Sequence, residues 1–212
     1  AVPLPQEPLS LKRNQILKKF FDITLSMTVL IGILWWFYPL VSLFIKFSSK
    51  GPVVIRQNRI GVDGIQFKCM KFRTMVSNKS AEKGYSHLTS EDDSRITWIG
   101  KVLRKTNLDE LPQFLNVLMG YMSVVGPRPH MVSEEQEIAD KIDKYRIRRF
   151  VKPGITGLAA ITGFRGGTEN LNLMQKRIDH DIQYIENWSI WLDIKISIIT
   201  FWQMLTLRTG AH

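Results

Sequence analysis

Residues 23–45 form an apolar run in which no side chain is charged. About 20 consecutive apolar residues are enough for a helix to cross the hydrocarbon core of a bilayer. The run therefore predicts a helix in contact with lipid, and the rest of the chain has to fold beside it.

Pro39 interrupts this run, and a proline usually kinks or ends a helix because it has no N–H and crowds the preceding turn. The helix before it would have about 16 residues and a length of about 25 Å, which is shorter than a ~30 Å hydrocarbon core. Basic residues on both flanks favour a cytoplasmic position for both ends. They are Lys12, Arg13, Lys18 and Lys19 before the run, and Lys46 and Lys50 after it. We predict a re-entrant helix-break-helix over residues 12–50, with an ordinary span or a buried soluble helix as the alternatives.

A second apolar-rich stretch covers residues 188–202. Because the charged residues Asp193 and Lys195 interrupt it, we do not predict that it spans the membrane. Its tryptophans suit the headgroup region, where the ring is in an apolar setting and the N–H stays hydrated. An interfacial helix and a helix packed against the core both fit this pattern.

The residues between the two apolar stretches predict a mixed structure. Alternating residues on both sides of a Gly-Val-Asp-Gly turn at 61–64 indicate a basic β-hairpin. Residues 76–92 are polar and indicate a surface loop, whereas 133–148 and 168–187 indicate helices. The fold class that follows is α+β and mostly helical: a monotopic membrane protein with a small hairpin and interfacial amphipathic helices. We divide it into a Pro-rich linker at 1–11, the membrane helix at 12–50 and a cytoplasmic domain at 51–212.

Asp109 and Glu110 are adjacent carboxylates that precede Pro112. Since proline is tolerated in the first helical turn, a helix is expected to start close to Asp109. Free N–H groups and the helix dipole would make that position suitable for a phosphate or an ionised carboxylate. The simpler interpretation is helix capping, with Asn107 or Asp109 as the N-cap.

Arg128 lies between Pro127 and Pro129, which stiffen the backbone and present the guanidinium at low entropic cost. Arginine suits forked contacts to phosphate. A rigid turn with no ligand is the alternative interpretation.

The formal net charge of +10 suits a polyanion, an anionic membrane surface or phosphorylated substrates. The single Cys69 excludes an internal disulfide and a cysteine-based zinc site. There is no Walker loop and no dinucleotide fingerprint. A nucleotide diphosphate would need a divalent cation, which one carboxylate and phosphate oxygens can hold, while the other carboxylate attacks phosphorus.

An ordered series of motifs resembles the bacterial sugar transferases, the monotopic polyprenyl-phosphate phosphoglycosyl transferases. The matching motifs include KFFD at 19–22, GPV at 51–53, KFRTM at 71–75, LDELPQ at 108–113, GPRP at 126–129 and PGITG at 153–157. The resemblance covers residues 12–203. One departure is Tyr38-Pro39, where the family often has Ser-Pro at the break.

The resemblance implies transfer of a sugar-1-phosphate from a UDP-sugar to undecaprenyl phosphate, with release of UMP, at the cytoplasmic face of the bacterial inner membrane. Asp109 matches the nucleophile of a covalent phosphosugar intermediate, and Glu110 matches the partner that holds Mg²⁺. Phosphate contacts are expected from Arg104, Arg128, Lys71 and Arg73, with Pro127 and Pro129 framing the site. Membrane lipid and a second copy of the chain are further expected partners, and nucleic acid is not.

The N-terminal prolines and residues 167–196 look more like the large subfamily, whose members carry extra N-terminal membrane helices and a further domain, so we expect a longer natural chain. Residues 167–196 also resemble members that start exopolysaccharide or capsule synthesis with glucose-1-phosphate; galactose-1-phosphate is the alternative. Two other classes compete with this interpretation. A basic nucleic-acid-binding protein would have no need of the apolar run, and a non-catalytic membrane scaffold would not depend on Asp109.

Overall fold

The computed structural model describes residues 7–76, 93–142, 144–164 and 171–207. Most of the predicted loop at 76–92 and residues 1–6 of the predicted linker therefore lie outside the described residues. Residues Pro8–Ser10 of that linker form one 3₁₀ turn, and Leu9 packs against the core.

The apolar run forms part of a helix of 37 residues, Lys12–Ser48, which is the one helix in the described part of the chain that is long and apolar enough to cross a membrane. It consists of α1 (Lys12–Val29), a wide π-helical segment (Leu30–Leu34) and α2 (Trp35–Ser48). Helical conformation continues through Pro39, so the expected interruption is not an end of the helix.

The irregularity lies upstream of the proline, where the Trp35 N–H donates to the carbonyl of Leu30, five residues back. The segment ends one helical turn before Pro39, which has no N–H to donate to the carbonyl of Trp35, four residues back. The Trp36 indole N–H donates to the Gly32 carbonyl at 2.9 Å, and the Ser42 hydroxyl donates to the Tyr38 carbonyl at 2.6 Å. Trp36 and Ser42 thus supply side-chain hydrogen bonds to main-chain carbonyls of this helix, in a chain that has no seryl hydroxyl at position 38.

The predicted hairpin is confirmed. Strands β1 (Val54–Ile60) and β2 (Gln66–Phe72) pair antiparallel, from Val54 opposite Phe72 to Ile60 opposite Gln66. Asp63 and Gly64 both have positive φ, which permits the tight connection. A second, parallel pair that the sequence did not indicate joins β3 (Ser123–Val125) to β4 (Gly154–Thr156).

Six further α-helices lie in the described part of the chain after β2. They are α3 (Trp98–Lys105), α4 (Gln113–Leu118), α5 (Val132–Lys141), α6 (Leu158–Ile161), α7 (Leu171–Glu186) and α8 (Ile190–Leu205). The helix predicted at 133–148 is divided into α5 and a 3₁₀ helix, Tyr145–Phe150. The helix predicted at 168–187 is α7, and the mostly helical fold class is confirmed.

The membrane helix packs on the hairpin and on α3. Leu34, Val41 and Ile45 are buried against Phe72 of β2 and against apolar residues of α3 and the following turn. A separate apolar cluster joins the other side of the hairpin to β3, α7 and α8. The hairpin is therefore held between the membrane helix and the C-terminal helices.

A buried polar network docks α1 on this domain. Lys18 Nζ donates to Asp193 Oδ2 at 2.7 Å, to the Tyr184 hydroxyl at 3.0 Å and to the Val125 carbonyl at 3.0 Å. Asp22, one turn further along, accepts from the Val124 N–H at 2.9 Å. One turn of α1 thus contacts β3, α7 and α8 together.

Helix α8 has two different faces. Asp193 and Ile196 are fully buried, so the carboxylate that interrupts the apolar stretch is an internal counter-charge. Trp191, Phe201 and Trp202 are exposed on the other side. The packing alternative is confirmed for the buried face, and the interfacial position of the exposed face stays a prediction.

Replacing Lys18 by Met should lower the free energy of unfolding by about 3–5 kcal/mol, because it leaves the Asp193 carboxylate buried without its cation. Lys19→Met, which changes an exposed neighbour on the same helix, is the matched control and should have little effect. Thermal unfolding in detergent measures both, and Lys18→Met/Asp193→Leu should recover part of the loss. Equal stability of the two single variants would contradict the role given to this ion pair.

Candidate active site

Asp109 and Glu110 lie in a 3₁₀ turn, Leu108–Glu110, between α3 and α4. Asn107 starts this turn in the left-handed region (φ 56°) and its side chain makes no capping hydrogen bond. Pro112 occupies the N-cap of α4, and that helix has only six residues. The predicted capping by Asn107 or Asp109 is therefore wrong. The helix dipole is also a minor factor because α4 is so short, and side chains supply the positive charge.

Glu110 is held by two cations that come from distant parts of the chain. Its Oε1 accepts from Lys71 Nζ of β2 at 2.8 Å and from Arg128 Nη2 at 2.9 Å. Its Oε2 lies 3.4 Å from Arg128 Nη1. Because Glu110 is only 5% exposed, these contacts compensate the cost of burying its charge.

Asp109 has different surroundings, although it is the adjacent residue. It is buried, and within the described ranges no donor forms a hydrogen bond to its carboxylate. Burial raises the pKa of Asp109, and the charge of Glu110 raises it further, while Lys71, Arg104 and Arg128 act in the opposite direction. One carboxylate is thus fixed in an ion-pair cluster, and the other is held by no hydrogen bond from the described residues.

Arg104 approaches the pair from α3. Its Nε donates to the Thr74 hydroxyl at 2.9 Å, and Asp109 is the nearby acid with the largest influence on it. The helix can approach β2 this closely because Gly100 has no side chain, and a Cβ there would lie 2.0 Å from the Thr74 carbonyl oxygen. The segment after β2 therefore positions Arg104.

The turn that carries Arg128 is held by its carbonyls on both sides. The Pro127 carbonyl accepts from the Gly154 N–H at 2.9 Å, and the Pro129 carbonyl accepts from Arg59 Nη1 at 3.2 Å. Arg148 Nη2 donates to the Arg128 carbonyl. Pro127 and Pro129, which have no N–H to offer a phosphate, contribute by fixing this turn.

Arg73 is not brought to the carboxylates. Its guanidinium donates to the carbonyls of Ile45, Ser49 and Lys50, and so binds the C-terminal end of α2. Arg73 follows β2 directly and therefore lies beside the C-terminal end of α2, where its guanidinium can reach the last carbonyls. The structure therefore brings together Lys71, Arg104, Asp109, Glu110 and Arg128 from the predicted set.

Sequence reasoning missed two supports of the site. Asn116 of α4 accepts from the Met70 N–H at 2.9 Å and donates to the Lys68 carbonyl at 2.9 Å, which fixes α4 against β2. Arg148, which holds the Arg128 turn, is itself paired with Asp181 of α7 at 2.8 Å. Asn116 falls within a motif of the resemblance, but only the fold shows which main-chain groups it reaches.

The donor set of the site fits a hard divalent cation only in part. The described residues contain no group of three or more His, Cys, Asp or Glu side chains placed to hold a metal. Asp109 and Glu110 offer carboxylate oxygens, which Mg²⁺ prefers, and Mg²⁺ commonly takes its other ligands from phosphates and water. Mg²⁺ at Glu110 stays a prediction.

A membrane-associated helix joined to a buried carboxylate pair among converging cations is the arrangement expected of an enzyme that acts on phosphates at a membrane. Residues 13–207 match the model of the family described as bacterial sugar transferase. The chain belongs to this family.

Characterised relatives give the family match more detail. The chain is 47% identical over 94% of its length to the UDP-glucose:undecaprenyl-phosphate glucose-1-phosphate transferase of Klebsiella pneumoniae, and 46% identical, also over 94%, to that of Escherichia coli (strain K12). It spans 42% of the length of each of these proteins. It is also 40% identical over 92% of its length to the exopolysaccharide production protein PSS of Rhizobium leguminosarum bv. phaseoli, and covers 98% of that protein.

The raised pKa of Asp109 predicts a specific pH dependence of stability. An aspartic acid in an unfolded chain has a pKa of about 3.9. Between that value and the raised pKa, the folded state keeps a proton that the unfolded state has lost, so the free energy of unfolding falls as the pH rises. Asp109→Asn removes this effect, and its stability relative to wild type should increase between pH 4.5 and pH 8.

The measurement is the thermal unfolding temperature of both proteins across this pH range. Asp140→Asn, at an exposed position, is the matched control. A constant difference between Asp109→Asn and wild type at all pH values would contradict the assignment.

Proposed function

We propose that the chain transfers glucose-1-phosphate from UDP-glucose to undecaprenyl phosphate and releases UMP, as the names of its Klebsiella and Escherichia relatives describe for those proteins. The carrying observation is the division within the carboxylate pair. Glu110 is bound by Lys71 and Arg128, while the Asp109 carboxylate is buried beside Arg104 and accepts no hydrogen bond from the described residues.

In the first step an oxygen of ionised Asp109 attacks the phosphorus that bears glucose. A carboxylate–phosphorus bond forms, and the bond from that phosphorus to the bridging oxygen breaks. UMP leaves with the bridging oxygen and its electron pair. Cations from three separate segments, Lys71, Arg104 and Arg128, stand around the pair to stabilise the charge that passes to the leaving phosphate.

In the second step a phosphate oxygen of undecaprenyl phosphate attacks the same phosphorus. The bond to Asp109 breaks, the carboxylate is restored, and the product is a lipid-linked glucosyl diphosphate. Splitting the transfer in this way lets one site serve a water-soluble and a lipid-soluble substrate in turn. Mg²⁺ bound by Glu110 and phosphate oxygens would supply further neutralisation of phosphate charge.

The membrane arrangement that we propose is a re-entrant helix in the inner membrane, with the site on the cytoplasmic side. Basic residues flank both ends of the apolar run, and its large side chains, such as Ile31, Trp35 and Leu43, are exposed. The close packing of α2 on β2 keeps the carboxylate pair near the membrane helix that would meet the lipid substrate.

Asp109→Asn should reduce UMP release by about 10³-fold or more, because an amide cannot replace the attacking carboxylate. The assay contains the purified chain, UDP-glucose, Mg²⁺ and undecaprenyl phosphate, with Asp140→Asn as the matched control. Normal turnover by Asp109→Asn would favour another nucleophile, and no UMP release by the wild type would favour the scaffold alternative. UDP-galactose in place of UDP-glucose tests the alternative sugar, and faster release from it would overturn the choice of glucose.

Wild-type protein incubated with UDP-glucose alone should retain a covalent hexose phosphate that intact-mass measurement detects. Undecaprenyl phosphate should remove this adduct, and Asp109→Asn should never acquire it. Turnover in the complete assay by protein that forms no adduct with UDP-glucose alone would contradict the covalent route and favour direct transfer.

Cysteines introduced one at a time at Arg13 and Lys50, in a Cys69→Ser background, should both react with a membrane-impermeant thiol reagent from the cytoplasmic side only. Both positions are exposed and lie at opposite ends of the helix. Labelling of the two positions from opposite sides would restore the ordinary membrane span.

A further inference from the structure

A buried chain of polar side chains begins two residues after Arg128, at His130. His130 is only 4% exposed, and its ring stacks on that of Tyr145 with the centroids 5.5 Å apart. The main chain is fixed at the same point, because the Ile60 N–H donates to the His130 carbonyl at 3.2 Å. No step of the proposed transfer uses this histidine, although it follows the turn that carries Arg128.

The Tyr145 hydroxyl decides where the protons of this chain lie. It donates its one proton to Glu135 Oε2 of α5, a carboxylate whose other oxygen accepts from Arg149 Nε at 2.7 Å. An ionised carboxylate has no proton to return, so the Tyr145 oxygen can only accept from His130 Nδ1, which lies 2.7 Å away. His130 Nδ1 therefore carries a proton.

The second ring nitrogen of His130 faces a donor. Arg177 Nη1 lies 3.5 Å from Nε2, and a guanidinium has no lone pair to offer, so Nε2 presents its own. Burial lowers the pKa of His130 well below its usual value, and neighbouring positive charges lower it further. These charges are those of Arg148, Arg177, Arg59 and Arg128. A neutral ring with its proton on Nδ1 fits both neighbours.

Arg148 joins the same chain to the turn from another direction. Its guanidinium lies over the Tyr145 ring, 5.1 Å from the centroid, and donates to the Arg128 carbonyl. The turn is thus held at the Arg128 carbonyl and again two residues later at the His130 side chain. This anchoring matters for the rate, because a misplacement of about 1 Å near the reacting atoms can cost about 10²-fold.

We propose that His130, neutral and with its proton on Nδ1, is a positioning residue for Arg128, and that Tyr145 selects this tautomer. Together they fix the turn so that the Arg128 guanidinium is aimed at the phosphates of the donor. A doubly protonated ring would repel Arg177, and a ring with its proton on Nε2 could not donate to Tyr145. The effect on the rate rests on the proposed function, whereas the tautomer does not.

The kinetic test compares His130→Leu with His130→Asn, since Asn places an N–H where Nδ1 stands and Leu, of similar size, does not. His130→Leu should lower kcat for UMP release about 10-fold or more and change KM for UDP-glucose less than about 3-fold. His130→Asn should recover most of the loss. Tyr145→Phe, which removes only the hydroxyl, should also lower kcat, with Tyr121→Phe at an exposed position as the matched control.

A double variant separates positioning of Arg128 from a general loss of stability. In an Arg128→Gln background, Tyr145→Phe should not reduce the residual rate further, because the group that it positions is absent. Losses that multiply would overturn the proposal. So would wild-type kcat in His130→Leu, or equal kcat in His130→Leu and His130→Asn.

Nitrogen-15 NMR of the imidazole tests the tautomer without changing any member of the chain and without measuring activity. The protein is labelled at histidine, with His87, His180 and His212 replaced by Gln so that His130 alone gives signals. We expect a protonated Nδ1 and an unprotonated Nε2 at pH 7. The opposite tautomer or a doubly protonated ring would overturn the proposal even where the kinetic variants fail to fold. The expected tautomer in a wild-type protein that releases no UMP would overturn the proposed function and leave the tautomer assignment standing.

Discussion

The ion pair between Lys18 and Asp193 determines how the membrane helix sits on the rest of the protein. Both groups are buried, and Tyr184 and the Val125 carbonyl complete their hydrogen bonds. A buried charge separated from its partner is costly, so α1 cannot slide by a turn without breaking this network. With α1 fixed, the π-helical segment and α2 present Leu34, Val41 and Ile45 to the hairpin, and carbonyls at and just after the end of α2 accept from Arg73.

The carboxylate pair depends on this arrangement because its cations come from elements with no local connection. Lys71 belongs to β2, Arg104 to α3 and Arg128 to a turn that β1 and β4 hold from opposite sides. Adjacent residues acquire different chemistry as a result. Glu110 is buried in ion pairs with Lys71 and Arg128, whereas burial without such a pair dominates at Asp109 and raises its pKa. The difference between the two carboxylates comes from their environments and not from residue type.

Much of the architecture is readable from the sequence because it follows local patterns. The hairpin around 61–64, α7 and the long apolar helix were all predicted from periodicity and turn residues, and the carboxylate pair was identified from its motif. The π segment before Pro39 was not, because helix periodicity does not distinguish a wide turn from an ended helix. Asn107 was misjudged as a capping side chain: it stands at the start of the turn in the left-handed conformation, which asparagine adopts readily, and its side chain makes no capping hydrogen bond.

Long-range polar partners could not be predicted. Lys18 looked like a basic flank of a membrane segment, and Asp193 like an interruption of an interfacial helix, yet each is the other's counter-charge. Arg73 shares a motif with Lys71, but its guanidinium donates to a carbonyl just after the end of α2. Such assignments depend on groups that are 24 residues apart for Arg73 and Ser49 and 175 residues apart for Lys18 and Asp193, and no local pattern encodes that.

The amide of Asn116 has a consequence beyond the position of α4. A two-stranded ribbon leaves the outer edge of each strand with unpaired N–H and C=O groups, which can recruit a strand from another molecule. Asn116 occupies the Met70 N–H and the Lys68 carbonyl on the edge of β2 that faces away from β1. A single side chain thus takes the place of a third strand on this edge and blocks edge-to-edge association of the hairpin there.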